Sequence, residues 1–180
     1  MTPRKYSSIG IVIKRRNFSE ADRIIVLYTK DYGKITLLAK GVRKPKSRKR
    51  GHVEMFTLIN FSASRTKSLD LITEVETVEV FDYEKDIKRV SVAYFIVETI
   101  DKLTREGENN EELYSHIIKN MKILRNVSGL KEFRLEFVRN TLIILGYWPE
   151  EKPMSDPDST LEEVVEKRMN SVRVGKKISK

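Results

Sequence analysis

Residues 23–40, RIIVLYTKDYGKITLLAK, decide the fold class of this chain. Two apolar, β-branched runs flank the tetrad DYGK (31–34), in which Gly33 can take the positive φ that a tight hairpin requires. The spacing predicts one strand over 23–29 and the next over 34–40. Upstream, residues 9–13 form another β-branched run, interrupted by Gly10, which predicts a bulge or sharp curvature there. Downstream, Val53, Met55, Thr57, Ile59 and Phe61 alternate and predict a strand over 53–61. A polar loop, SASRTKS (62–68), leads to a fifth strand over 69–80, where Leu69, Leu71, Thr73 and Val75 alternate and the phase slips near Thr77. Five short curved strands predict a small closed barrel: an OB-fold, with an SH3-like barrel as the competing architecture.

From about Asp86 the apolar period changes to that of a helix. Val90, Ala93, Ile96, Val97, Ile100 and Leu103 line one face; Leu113, Ile117, Met121 and Leu124 a second, opened by Asn110; Leu130, Phe133, Phe137, Val138, Leu142 and Leu145 a third, closed by Gly146. Ser159 with Glu162 predicts a capping box for a last helix through about Met169, followed by a basic end expected to fray over 171–180. Trp148 is expected as a core or interdomain plug. The chain is therefore α+β: an N-terminal five-stranded OB-fold β-barrel over 1–81, then an all-α helical domain with a basic tail over 82–180.

The 180 residues contain no Cys and two His far apart, which excludes disulfides, thiolate metal sites and a Cys nucleophile in this sequence. There is no GKS or GKT phosphate loop, no GxSxG and no HExxH. Glu74, Glu76 and Glu79 are the nearest approach to a divalent-cation cluster, and a solvated sheet face accounts for them. No catalytic residue, cofactor or metal is expected. With no apolar run near membrane-spanning length and no signal-peptide core, a cytoplasmic, nucleoid-associated protein is expected.

Charge is unevenly distributed: net +9 over residues 1–81, −6 over 82–166 and +6 over 167–180. The densest part is KGVRKPKSRKRG (40–51), with seven cations in twelve positions and no acid. Seven like charges repel, so an ordered segment carrying them needs an anionic ligand to offset the cost. Phosphate-backbone binding is the expected use, each cation releasing a condensed counter-ion. Lys40, Arg43, Lys44, Lys46, Arg48, Lys49 and Arg50 form the predicted site, with Gly41, Pro45 and Gly51 keeping the loop extended. Lys14, Arg15, Arg16, Arg23, Lys34, Arg65 and Lys67 are expected to widen it, and Tyr32 to meet a base. Nothing resembles base-edge readout, so little sequence preference is expected. An RNA-binding OB protein and a protein–protein adaptor with a basic docking loop are the alternatives.

Several stretches together resemble the RecO family of bacterial recombination mediators. They are the acid before Asp22 and Arg23, Gly33-Lys34, Ala39-Lys40-Gly41, the basic run Arg43 to Arg50, Phe56, and LGYWPE at 145–150. The resemblance implies an OB-fold followed by helices, binding of single- and double-stranded DNA and annealing of complementary strands. It also implies contact with the acidic C-terminal tail of single-stranded DNA-binding protein, and cooperation with RecR in loading RecA. A basic rim for such a tail is available from Lys119, Lys122, Arg125, Arg134 and Arg139. The four-cysteine zinc module that many members carry after the position of Tyr147–Pro149 is missing from this sequence.

Overall fold

The computed structural model describes residues 4–178 apart from position 84, and within its last helix the side chains up to 167. Five strands, β1 (Lys5–Phe18), β2 (Asp22–Thr29), β3 (Gly33–Ala39), β4 (Thr57–Ser64) and β5 (Asp70–Val80), close a barrel in the order β1-β2-β3-β5-β4. Closure depends on the length of β1. Its first half pairs with β4, from Lys5↔Ser64 to Ile11↔Leu58, and its second half with β2, from Gly10↔Thr29 to Phe18↔Asp22. All pairs are antiparallel except β3–β5, which touch through only Leu37↔Asp70 and Leu38↔Leu71. The barrel is filled by Val12, Ile25, Leu27, Leu37, Ala39, Ile59, Phe61, Ala63 and Ile72. This is the expected OB architecture with helices after it.

Three local expectations need correction, and a fourth holds. Gly10 lies in regular pairing, and the bulge falls one turn of pleat later, between Val12 and Lys14. A Cβ on Gly10 would sit 2.8 Å from the Thr29 side chain and 3.0 Å from the Tyr28 carbonyl, so glycine there permits a close strand approach. The first strand extends to Phe18 because 14–18 pair with β2 while their side chains stay exposed, leaving no burial pattern in the sequence. β4 starts at Thr57 rather than Val53, because Phe56 sits at φ 61, outside the strand region. The phase slip near Thr77 is a register shift, with Leu58 opposite Glu79 and Ile59 opposite Thr77.

The contacts divide the chain into two compact units, Met1–Asn126 and Val127–Lys180. In the first, α1 (Ile87–Leu103) is capped by Asp86, which accepts from the Lys88 and Arg89 amides, and buries Ala93, Ile96, Val97, Ile100 and Leu103. α2 (Glu111–Ile123) is capped by Asn110, whose side chain accepts from the Leu113 amide at 2.8 Å. The chain after α1 grips the β2–β3 turn: the Gly107 amide donates to the Lys34 carbonyl at 2.9 Å. Gly33, at φ 62, is packed so closely that a Cβ would lie 1.9 Å from the Glu108 carbonyl oxygen.

In the second unit, α3 (Leu130–Ile144) buries Phe133, Phe137, Val138 and Leu142. Its end is a Schellman arrangement: the Tyr147 amide donates to the Leu142 carbonyl at 2.8 Å and the Gly146 amide to the Ile143 carbonyl at 2.9 Å. α4 (Pro157–Ile178) begins earlier than expected. Asp156, not Ser159, is its cap, accepting from the Ser159 amide at 3.1 Å, with Pro157 in the first helical position. The helical backbone continues past Met169; the expected fraying concerns side chains, and positions 179 and 180, that lie outside the described residues. Arg134 holds α4 through two bonds to Asp158, at 2.7 and 2.5 Å. Trp148 is half-buried rather than a core plug; its indole donates to the Lys152 carbonyl at 2.9 Å. No described helix is long and apolar enough to cross a membrane.

Candidate nucleic-acid interface

The basic segment between β3 and β4 is a string of tight turns rather than an extended loop. The Lys44 amide donates to the Gly41 carbonyl, Ser47 to Lys44, Arg50 to Ser47 and His52 to Lys49, at 3.1, 2.9, 3.4 and 3.1 Å. Turns every third residue consume the backbone donors that an extended loop would leave to water. Two lone valines at its ends, Val42 and Val53, are fully buried in the barrel core. Each contributes about 1.5–3 kcal/mol by burial, enough to seat the segment as a plug beside the short β3–β5 pairing.

Polar bonds fix the plug along its length. The Gly41 amide donates to Asp22 Oδ1 at 2.7 Å and the Arg43 amide to the Ala21 carbonyl at 2.9 Å. Lys49 Nζ donates to the Ile72 carbonyl at 2.9 Å. His52 Nδ1 accepts from the Thr77 amide at 3.1 Å, which places the ring proton on Nε2 and ties the plug to β5. Glu54 closes the far end: Oε1 accepts from Arg23 at 2.8 Å and Oε2 pairs with Arg15 at 3.0 Å. Nothing in the local pattern marks Glu54, Val42 or His52 as anchors; each is an isolated residue whose partner is far along the chain.

What the plug presents outward is charge. Lys40, Lys44, Lys46, Arg48 and Arg50 are exposed and meet no carboxylate among the described residues. Arg43 is exposed too, with one bond from Nη1 to the Ser19 carbonyl at 3.3 Å. Arg16 is exposed on β1, its guanidinium 6.0 Å from the centre of the Phe18 ring.

The other expected cations divide. Lys34 is buried, 8% exposed, and donates to the Asp101 carbonyl at 2.6 Å and to Asp101 Oδ1 at 3.2 Å. It docks α1 on the barrel and is not at a binding surface. Lys14 closes the same cluster, 3.0 Å from Asp101 Oδ2. Burial pushes the Asp101 carboxyl up, but its bonds and charge contacts with Lys14 and Lys34 outweigh this and leave it below the usual carboxylate range. Arg23 is likewise withdrawn, its side chain 11% exposed against Glu54. Arg65 and Lys67 are exposed on the β4–β5 loop beside the start of β1, where the Arg65 amide donates to the Arg4 carbonyl and its guanidinium lies 5.1 Å from the Tyr6 ring. Tyr32 packs edge-on to the same Tyr6 at 4.9 Å, half-buried, and so belongs to that spot rather than to the plug.

Of the three glutamates on β5, Glu79 is bonded to Arg125 at 2.7 Å and faces Lys122 at 3.6 Å, while Glu74 and Glu76 line a shallow hollow with Ser7, Ser8 and Asn60. They do not converge on one point. Of the rim expected for an acidic tail, Lys122 and Arg125 are paired with Glu79, Arg134 with Asp158, and Arg139 donates to the Glu150 carbonyl, while Lys119 is exposed with no carboxylate beside it among the described residues.

Fold and site together define a small OB-type barrel protein with a core-anchored basic plug and a helical C-terminal part. Residues 1–81 match the family "Recombination protein O N terminal" and residues 84–152 "Recombination protein O C terminal". The chain belongs to the RecO family. It is similar to the DNA repair protein RecO of Pelotomaculum thermopropionicum, 34% identical over 145 residues, covering 80% of this chain and 56% of that protein. The DNA repair protein RecO of Symbiobacterium thermophilum is 33% identical over 146 residues, covering 80% and 58%. That of Desulforamulus reducens is 38% identical over 111 residues, covering 61% and 43%. The chain thus spans about half the length of these curated relatives.

Proposed function

We propose that this chain is a non-enzymatic DNA-binding and strand-annealing protein of recombinational DNA repair. It binds single- and double-stranded DNA through the plug. Its partners are RecR and the acidic C-terminal tail of single-stranded DNA-binding protein, and it assists RecA loading on coated strands. The barrel, 1–81, holds DNA, and the helical part, 82–180, docks protein. The observation that carries the reading is the hydrogen-bonded segment 40–50, whose exposed cations find no carboxylate among the described residues. Self-repulsion of that kind is offset by phosphates, and a surface that neutralises two strands at once lowers the repulsion between them and lets bases pair. That the relatives are DNA repair proteins by name supports the repair role.

The test is anisotropy of a labelled single strand against salt, comparing wild type with Arg43, Lys44, Arg48 and Arg50 all changed to Ala. With ~5 phosphates contacted, the log–log slope is about −3.5, and losing four contacts flattens it by about 2.8. Equal slopes for the two proteins would refute the assignment of the plug. A matched RNA strand binding more tightly than DNA would redirect it to RNA.

A further inference from the structure

We propose that the groove between the second half of β1 and α1 receives an unstacked base of a single strand against the ring of Tyr94. The inference rests on reading the plug as the segment that holds the backbone. Two adjoining hollows, of about 510 and 580 Å3, share Arg15, Met55 and Tyr94 as walls. Each is roomy for one base, and an exposed tyrosine divides them. Tyr94 is 50% exposed, yet its ring is not loose. It packs edge-on at 4.9 Å and 73° against Phe56, which is 8% exposed and itself edge-on to Tyr83 at 6.2 Å. A π-surface braced from behind and open in front is a stacking platform that loses little entropy on binding.

Charge and continuity favour nucleic acid as the occupant. Of the carboxylates along the groove, Glu54 is paired with Arg15 and Arg23, Asp101 with Lys14 and Lys34, and Glu98 with Lys102; Asp82 lines the second hollow as well. Arg16, also on the wall, pairs with no carboxylate among the described residues. Gly51 lines the groove and directly follows Arg50, so a backbone held by Arg48 and Arg50 delivers its bases there. Bases in a duplex are stacked on their neighbours and cannot enter. The groove therefore confers preference for single strands, while the plug, which reads only phosphates, binds both forms.

The experiment compares Tyr94→Leu, which keeps apolar mass on Phe56 without a π-face, with Tyr94→Phe and Tyr94→Trp in the full chain. Binding of labelled oligo(dT) and of a hairpin duplex is followed against salt, after matched melting curves show that each variant is folded. Tyr94→Leu is expected to weaken oligo(dT) binding by about 5- to 100-fold, with duplex affinity and both salt slopes unchanged. Tyr94→Phe and Tyr94→Trp retain binding. In a Trp148→Phe background, the indole introduced by Tyr94→Trp is quenched by oligo(dT) and not by duplex. Equal loss on single strand and duplex, no loss on either, or an unresponsive indole overturns the stacking site. If the fourfold plug variant still flattens the slope in that case, the backbone reading stands, and an apolar side chain of a protein partner becomes the occupant of the groove. A plug variant indistinguishable from wild type removes the backbone reading and this inference with it.

Discussion

The chain contains two cationic clusters that look alike in sequence and do opposite things. In the plug, exposed cations are left without carboxylates on a backbone pinned by Val42 and Val53. At the β3–α1 contact, Lys34 and Lys14 converge on one carboxylate, Asp101, and the cation is buried. Partnership within the fold separates them. A lysine whose charge is already matched at low exposure cannot leave to meet a phosphate without stranding a buried carboxylate. A lysine with water and no partner costs the fold nothing when a ligand arrives. The number of cations in a stretch is thus a poor guide to function until the acids within reach are located.

The sharpest way to break this contrast is to remove one cation from each cluster and measure stability. Lys34→Ala leaves Asp101 of α1 paired with Lys14 alone and is expected to lower the unfolding free energy by about 3 kcal/mol in urea, with DNA affinity unchanged while folded. A loss below about 0.5 kcal/mol would place Lys34 with the surface cations. Next is the anchor of the plug. Val53→Ala is expected to cost about 2 kcal/mol and to expose 43–52 to trypsin, since a buried valine loses both transfer energy and packing. Unchanged cleavage would mean that the turns, not the valines, hold the segment.

Acid titration tests the matched cluster from its other side. The Asp101 carboxyl is held below its ordinary value of 3.8, so its contribution is present above that value and is lost as pH falls through the lower folded one. Wild type should lose stability below about pH 4 relative to Asp101→Asn, with the two curves converging at the most acidic end. Parallel curves would show that Asp101 is not stabilised by its lysines. The fourfold plug variant is expected to move stability by under about 1 kcal/mol, and upward, because repulsion is relieved. The smallest effect is assigned to Arg65→Ala, whose salt slope should match wild type within about 0.2; a drop near 0.7 would extend the interface to the β4–β5 loop.

Much of the barrel was legible because burial leaves a period. β2, β3 and β5 lie where their apolar runs fall, and α1, α2 and α3 follow theirs. The misreadings have common physical causes. The far half of β1 is bonded to β2 but faces solvent, so nothing in KRRNF (14–18) alternates. Val53 and Met55 alternate with Thr57 yet belong to the plug, because Phe56 breaks the strand. The cap of α4 moved because Asp156 precedes a proline suited to the first helical position, a stronger start than the Ser159 box.

The candidate site divides in the same way. Composition and period, being local properties, specify a five-stranded barrel, the helices after it, and a concentration of positive charge between the third and fourth strands. Long-range packing is what makes the charged segment a rigid plug, withdraws Lys34 and Arg23 from it, and sets Arg65, Lys67 and Tyr32 apart from it. It also decided that Tyr94, a residue of a helix with no basic neighbour in sequence, stands beside it. Those outcomes depend on which carboxylate or core cavity each side chain meets across gaps such as Lys34 to Asp101 or Arg15 to Glu54. Such meetings are set by strand register and helix packing, which no single stretch of sequence encodes.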